Sequence, residues 1–263
     1  MRQSTIRRKL RTGQPVLVPK VCFLDPNIVE ILGLLGFDCV WICTEHKAID
    51  PGVLENMARA ARAGNVDCLI RTPRHGYDDL ARCLAIGASG LMIPHVGTAD
   101  DVREVVARAK YPPLGARQLE HVNADADFGL ASLPDYLKNA NDETFLVIQV
   151  EDTDAVARAA EIAAVPGIDV LYVGVMDLSL SMGIPGEAKH PRVLDVIRKI
   201  VRVCESASIA CGTAAIDPEH CRMLKDEGVR FFTERSDWRT LVQGFTGVVE
   251  SYRNLGFTFG SRR

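Results

Sequence analysis

The chain has no apolar run long enough to span a membrane, and its opening residues, MRQSTIRRKLRTG, lack the apolar stretch of a secretory signal. It has no excess of positive charge. The net charge is −3 with Lys and Arg scattered throughout, so nucleic-acid binding has no compositional support. It has no C-x-x-C pair. Its eight cysteines (Cys22, Cys39, Cys43, Cys68, Cys83, Cys204, Cys211 and Cys221) fall partly inside apolar runs. They read as small core residues in a reducing compartment, not as disulfides or zinc ligands. A soluble cytoplasmic protein is expected. No G-x-G-x-x-G follows the first apolar run, which disfavours a doubly wound dinucleotide fold. Repeats of the fixed-period solenoid type are also absent.

What is present is alternation. The 263 residues are 47% apolar, enough for a sizeable core. Apolar runs start at Val16, Asp38, Asp67, Ser89, Thr144, Val170, Ser208 and Val229. Helical patterns separate them: 27–35, 51–63, 78–86, 98–109, 134–141, 153–164, 191–206 and 218–227, with 238–252 closing the chain. Eight strands alternating with helices, with no composition break, predict a single-domain (β/α)₈ barrel over 1–263. Residues 3–12 form a short basic helix expected to lie over the first strand. One long irregular stretch, Tyr111 to Ser132, interrupts the pattern, as functional or interfacial loops do.

A barrel of this kind carries its chemistry at the carboxyl ends of its strands. Reading those ends in order gives Glu45 and His46, Arg71, His95, Glu151 and Asp177. VIQV runs into Glu151 and VLYVGVM into Asp177, with a helix between, so the two acids should sit on neighbouring parallel strands. Adjacent carboxylates repel unless a cation separates them, and hard ions such as Mg²⁺ or Mn²⁺ bind through carboxylate and water. The alternative is that each acid caps the next helix. Arg71 offers a forked, permanently charged donor to an oxo acid, or a structural ion pair with Glu45 or Asp50. His46 titrates near neutrality and could move a proton, or it could start the next helix. A Schiff base on Lys20 is a weaker alternative. His75, His190 and His220 read as surface residues, and His95 and His121 as weak candidates.

The stretches TEH (44–46), LIRTP (69–73), IGASGLMIPHV (86–96), KYPPLGAR (110–117), VIQVED (147–152) and GIDVLYVGVMDLSLSMGIPG (167–186) occur in an order that resembles the metal-dependent (class II) pyruvate aldolases of the HpcH/HpaI type. The resemblance implies a barrel of the phosphoenolpyruvate/pyruvate-binding kind, often with its last helix exchanged between paired subunits. It implies a homohexamer built as a trimer of dimers. It implies Mg²⁺, Mn²⁺ or Co²⁺ on Glu151 and Asp177. Arg71 and Gln149 would hold the pyruvate group, backbone N–H groups near Gly174 and Met176 its carboxylate, and His46 would be the acid/base residue. The implied reaction cleaves a 4-hydroxy-2-oxo acid to pyruvate and an aldehyde through a metal-stabilised enolate. The alternative is a relative that binds metal and 2-oxo acid without turnover.

The sequence departs from the family pattern at several points. Cys43 stands where the family has Asp in D-x-E-H, which removes the expected partner of His46. Gly174-Val175-Met176-Asp177 replaces G-P-A-D, and Met176 is expected to narrow the pocket floor. Ala85 replaces a frequent Asp, Gln118 follows Gly115-Ala116-Arg117 where Gly is usual, and the eighth strand ends TERSD. Glu45 is expected to point away from the site.

Overall fold

The computed structural model describes residues 2–73 and 77–260. His75 lies outside the described residues. Among them eight strands close in sequence order into a parallel barrel: β1 Val16–Val21, β2 Cys39–Cys43, β3 Asp67–Arg71, β4 Gly90–Ile93, β5 Phe145–Val150, β6 Val170–Val173, β7 Ala210–Ala214 and β8 Phe231–Ser236. The helices are α1 Thr5–Arg11, α2 Pro26–Leu34, α3 Pro51–Ala63, α4 Tyr77–Ala85, α5 Ala99–Ala109, α6 Leu133–Glu143, α7 Thr153–Ala157, α8 Ala159–Ala163, α9 Val175–Ser181, α10 Pro191–Ala207, α11 Pro218–Asp226 and α12 Asp237–Arg253. Local chemistry fixes many of their starts. Asp25, Asp50, Thr98, Ser132, Asp152 and Asp217 accept backbone N–H bonds at their helix starts, and Thr98 with Asp101 forms a complete capping box.

Alternation along each strand sorts residues into two cores. Cys39, Trp41, Cys43, Leu69, Met92, Phe145, Val147, Val170, Tyr172 and Phe231 pack inside the barrel. Val40, Ile42, Cys68, Ile70, Leu146, Ile148, Val150, Leu171 and Val173 pack outward against the helices. This parity sets which residues beyond each strand end face the mouth.

The amino-terminal helix covers the bottom of the whole barrel, not one strand. Ile6 enters the interior core, Ser4 Oγ and the Ile6 N–H both donate to Asp67 Oδ2 (2.8 and 2.9 Å), and Arg7 donates to Thr144 O (2.6 Å). Two helical expectations change. The 153–164 helix breaks at Arg158 into α7 and α8, and the chain turns at Gly174 from strand directly into α9, which the unbroken apolar run had concealed. The 111–132 stretch builds its own small core. Arg117 pairs with Asp125 (2.7 Å) against the Tyr111 ring, and Tyr136 donates its hydroxyl to the same Asp125 oxygen, so Arg117 is buried within the chain. His220 is likewise buried, its Nδ1 accepting from the Ile216 N–H at 3.3 Å, contrary to the surface position expected. No helix among the described residues is long and apolar enough to cross a membrane.

Candidate active site

Strand parity brings Arg71, Gln149 and Glu151 into one buried line at the carboxyl-end mouth. Gln149 spans the other two. Its amide donates to Glu151 Oε2, and its carbonyl oxygen accepts from Arg71 Nη1 at 3.4 Å. The Arg71 guanidinium lies over the Trp41 ring at 4.8 Å and donates to Cys43 Sγ from Nε and Nη2 (3.3 and 3.1 Å). Lys20 Nζ also lies over this ring, 4.7 Å from its centroid. Cys43 thus touches Arg71, not His46.

Glu45 points inward, against expectation. Residues 43 and 45 share one face of the chain, so 46 takes the other. Glu45 Oε2 lies 2.9 Å from Arg71 Nε and 3.8 Å from His46 Nε2, and Oε1 lies 3.0 Å from His95 Nε2. The Arg71 hydrogen is aimed at sulfur, which leaves Glu45 Oε2 buried with no hydrogen-bond donor. The His46 side chain is 62% exposed. His95, weak in the sequence, occupies the centre: its backbone N–H donates to Glu151 Oε1 at 2.7 Å and its ring Nδ1 lies 3.0 Å from the same oxygen. The signal that could have found Glu45 was parity; His95 shares the outward parity of Leu91 and Ile93, and only its strand-end position pointed to it.

Burial pushes the Glu151 carboxyl up to about 7, and the charges of Asp177 and Glu45 add to that rise while His95 opposes it. Asp177 is not at a strand end but exposed in the first turn of α9, past the end of β6, from where its charge acts on Glu151. Gly174 N–H is spent on Val150 O at 3.1 Å and is not free for a substrate carboxylate. Its value is spatial. A Cβ there would stand 2.6 Å from Glu151 Oε2 and 2.7 Å from Gln149 Nε2. Met176 is 58% exposed at the rim, not under the pocket floor.

The donor set suits a divalent cation. A carboxylate whose charge is suppressed by burial and by two neighbouring acids is relieved by a cation placed beside it. Among the described residues no three His, Cys, Asp or Glu side chains already close around one point.

The family model for HpcH/HpaI aldolase/citrate lyase matches residues 21–243. A hydroxypyruvate/pyruvate aldolase of Delftia acidovorans is 32% identical over 250 residues, 95% of this chain and 93% of that protein. A 2-keto-3-deoxy-L-rhamnonate aldolase of Klebsiella pneumoniae is 35% identical over 252 residues, covering 95% and 94%. The solved HpcH/HpaI aldolase of Desulfitobacterium hafniense superposes with a TM-score of 0.89 at 29% identity, covering 94% of this chain and 96% of that one. With the closed barrel and its strand-end acids, these matches place the chain in the HpcH/HpaI aldolase/citrate lyase family.

Proposed function

We propose that this chain is a metal-dependent carbon–carbon lyase that cleaves a 4-hydroxy-2-oxo acid to pyruvate and an aldehyde. The observation that carries the reading is the buried Arg71–Gln149–Glu151 line with Asp177 at its edge. A divalent ion (Mg²⁺, Mn²⁺ or Co²⁺) on Glu151 and Asp177 supplies, when bound, a Lewis acid for the substrate carbonyl. Arg71 is oriented before substrate arrives by Trp41, Cys43 and Glu45, and its free donors pair with the oxo-acid oxygens. Gln149 positions both Arg71 and Glu151. The Met176 N–H, at the open first turn of α9, is a further donor for the substrate carboxylate. His46 faces the solvent side, where its Nε2 takes the 4-hydroxyl proton as the C3–C4 bond breaks; the bonding pair passes into the enolate, whose C3 then takes a proton to give pyruvate. Glu45 Oε2, 3.8 Å from that same Nε2, is a carboxylate neighbour that stabilises the ring's charge once it has taken the proton.

The test is pyruvate release from a panel of 4-hydroxy-2-oxo acids with Mg²⁺ or Mn²⁺. Release that is abolished by EDTA and restored by metal is the expected result. Cys43 in place of an acid, and the exposed His46, favour one second reading: a relative that binds metal and 2-oxo acid without turnover. Calorimetric binding of pyruvate and metal with no release from any panel member would select it.

The same reading includes assembly. The last helix, α12, buries none of its residues, and a groove of about 490 Å³ runs beside its start, lined by Leu17, Phe23, Ile31, Leu35, Phe37 and Leu241. A second copy's α12 is the occupant proposed for that surface, within a homohexamer made of three such pairs.

A further inference from the structure

We propose that Lys20 binds an anionic group on the aldehyde half of the substrate, so that the chain selects 4-hydroxy-2-oxo acids with a second acid group at the far end. The lyase reading supplies the direction in which the substrate lies.

That direction follows from strand order. β1, β2 and β3 are neighbours in the barrel. Arg71, at the end of β3, takes the oxo-acid oxygens, and His46, just past β2, takes the 4-hydroxyl proton. A substrate that runs from β3 to β2 meets β1 with its next atoms. The side chain that β1 presents there is Lys20. It has the inward parity of Val16 and Val18 and pairs in register with Trp41. Its Nζ lies 4.7 Å from the centroid of the ring that the Arg71 guanidinium approaches at 4.8 Å.

One indole therefore carries two cations, and only one of them is matched. Arg71 has Glu45 at 2.9 Å. Among the described residues Lys20 forms no ion pair and donates no hydrogen bond. The acids nearby are engaged elsewhere: Glu45 by Arg71 and His95, Glu234 by Arg235 (3.0 Å), and Asp237 by the Cys22 and Phe23 N–H groups (each 2.8 Å). Lys20 is half-buried, so its charge has lost part of its water without gaining a counter-ion. The ring has a donor in the same condition: Trp41 is 9% exposed, and its Nε1–H is buried with no acceptor. An anionic oxygen, with several lone pairs, answers an ammonium and an indole N–H together, whereas an apolar chain end answers neither.

Calorimetry on the full chain with Mg²⁺ compares 2-oxoadipate with 2-oxohexanoate. The two are equal in length, differ in the distal carboxylate and have no 4-hydroxyl, so neither is cleaved. Wild type should bind the diacid about tenfold more tightly. Lys20→Met, which keeps an apolar stem on Trp41, and Lys20→Gln should both lose that preference, and Lys20→Arg should keep most of it. Pyruvate release is then followed from 4-hydroxy-2-oxo acids ending in a carboxylate, a sulfonate or a neutral group. A carboxylate or sulfonate ranked first supports the proposal and names the anion, and a neutral ending ranked first overturns it. Equal binding of the two oxo acids by wild type, or a preference that survives both neutral variants, would overturn the role of Lys20 and leave the lyase reading intact. So would a pyruvyl adduct on Lys20 after borohydride, which marks a Schiff base instead. A diacid preference lost in the neutral variants, with no release from any panel member, would keep the anion site and remove the lyase reading.

Discussion

Glu45 is the carboxylate on which the basic side chains of the mouth converge: Arg71, His95 and His46 all approach it. Its side chain is only 11% exposed, and one oxygen is free of hydrogen bonds. Charge removed here should therefore be felt more than charge added at Cys43. Glu45→Gln is expected to slow pyruvate methyl-proton exchange on the order of tenfold, the low end of general-base effects. Cys43→Asp should give no gain, because its side chain reaches Arg71 and His46 already has a carboxylate neighbour. NMR of pyruvate in D₂O with Mg²⁺ compares the two variants. Gly174 gives a second residue-scale prediction. Gly174→Ala forces a Cβ against Glu151 Cβ (2.8 Å) as well as the two polar tips, so Glu151 must move. Divalent-ion affinity should fall at least about tenfold by calorimetry, and the melting temperature should fall with it, because the displaced Glu151 and Gln149 are buried. Arg71, Gln149 and Glu151 were legible because strand ends are legible. Glu45 is harder to place: alternation says that neighbours diverge, and only the inward facing of Cys39, Trp41 and Cys43 says which one enters. His95 depends on a left-handed turn that no residue type announces.

At the scale of elements, the strands came through because each is an apolar run bounded by turn residues, and the helices because their caps are written in Asp, Ser and Thr. Where they failed, the reason is local. The sixth strand does end at Gly174, as its glycine indicates; what Val175, Met176 and Asp177 carry no sign of is the helix that starts there, shown by the bonds from Gly174 N–H to Val150 O and from Leu178 N–H to Gly174 O. The amino-terminal helix shows how an element outside the alternation supports the barrel. Asp67, fully buried on β3, receives Ser4 Oγ, the Ile6 N–H and the Arg2 guanidinium (2.7 Å). Asp67→Ala strands two buried donors and opens the barrel floor. It should cost about 2 kcal/mol in urea unfolding. Metal binding, at the opposite end of the strands, should be unchanged, and loss of both together would mean that the floor and mouth are coupled.

The whole molecule, taken as one chain, leaves its last helix uncovered. Along α12 and the tail, Leu241, Val242, Phe245, Val248, Tyr252 and Leu255 are all exposed, an apolar face far beyond what a lone soluble chain ordinarily presents to water. The sequence could show that 238–252 is helical but not that its apolar stripe lacks a partner within the chain, since the stripe looks the same whichever molecule covers it. Other helices of the barrel put such a stripe on the outer core; α12 buries nothing, while the groove beside α2 stands open. A helix and an open groove on one chain make a self-complementary pair, and two-fold exchange closes both at once. Phe245, 63% exposed at mid-helix, is the place to break it. Phe245→Asp puts a charge into the proposed interface at little cost to the isolated chain, within which the residue is largely exposed. Light scattering at micromolar concentration should give six times the 28.8 kDa chain mass for wild type and a smaller species for the variant. Its circular dichroism should match wild type, which separates a lost contact from a lost fold. A wild-type monomer with full pyruvate release would leave the exposed face unexplained by self-assembly and show that one barrel holds the whole site.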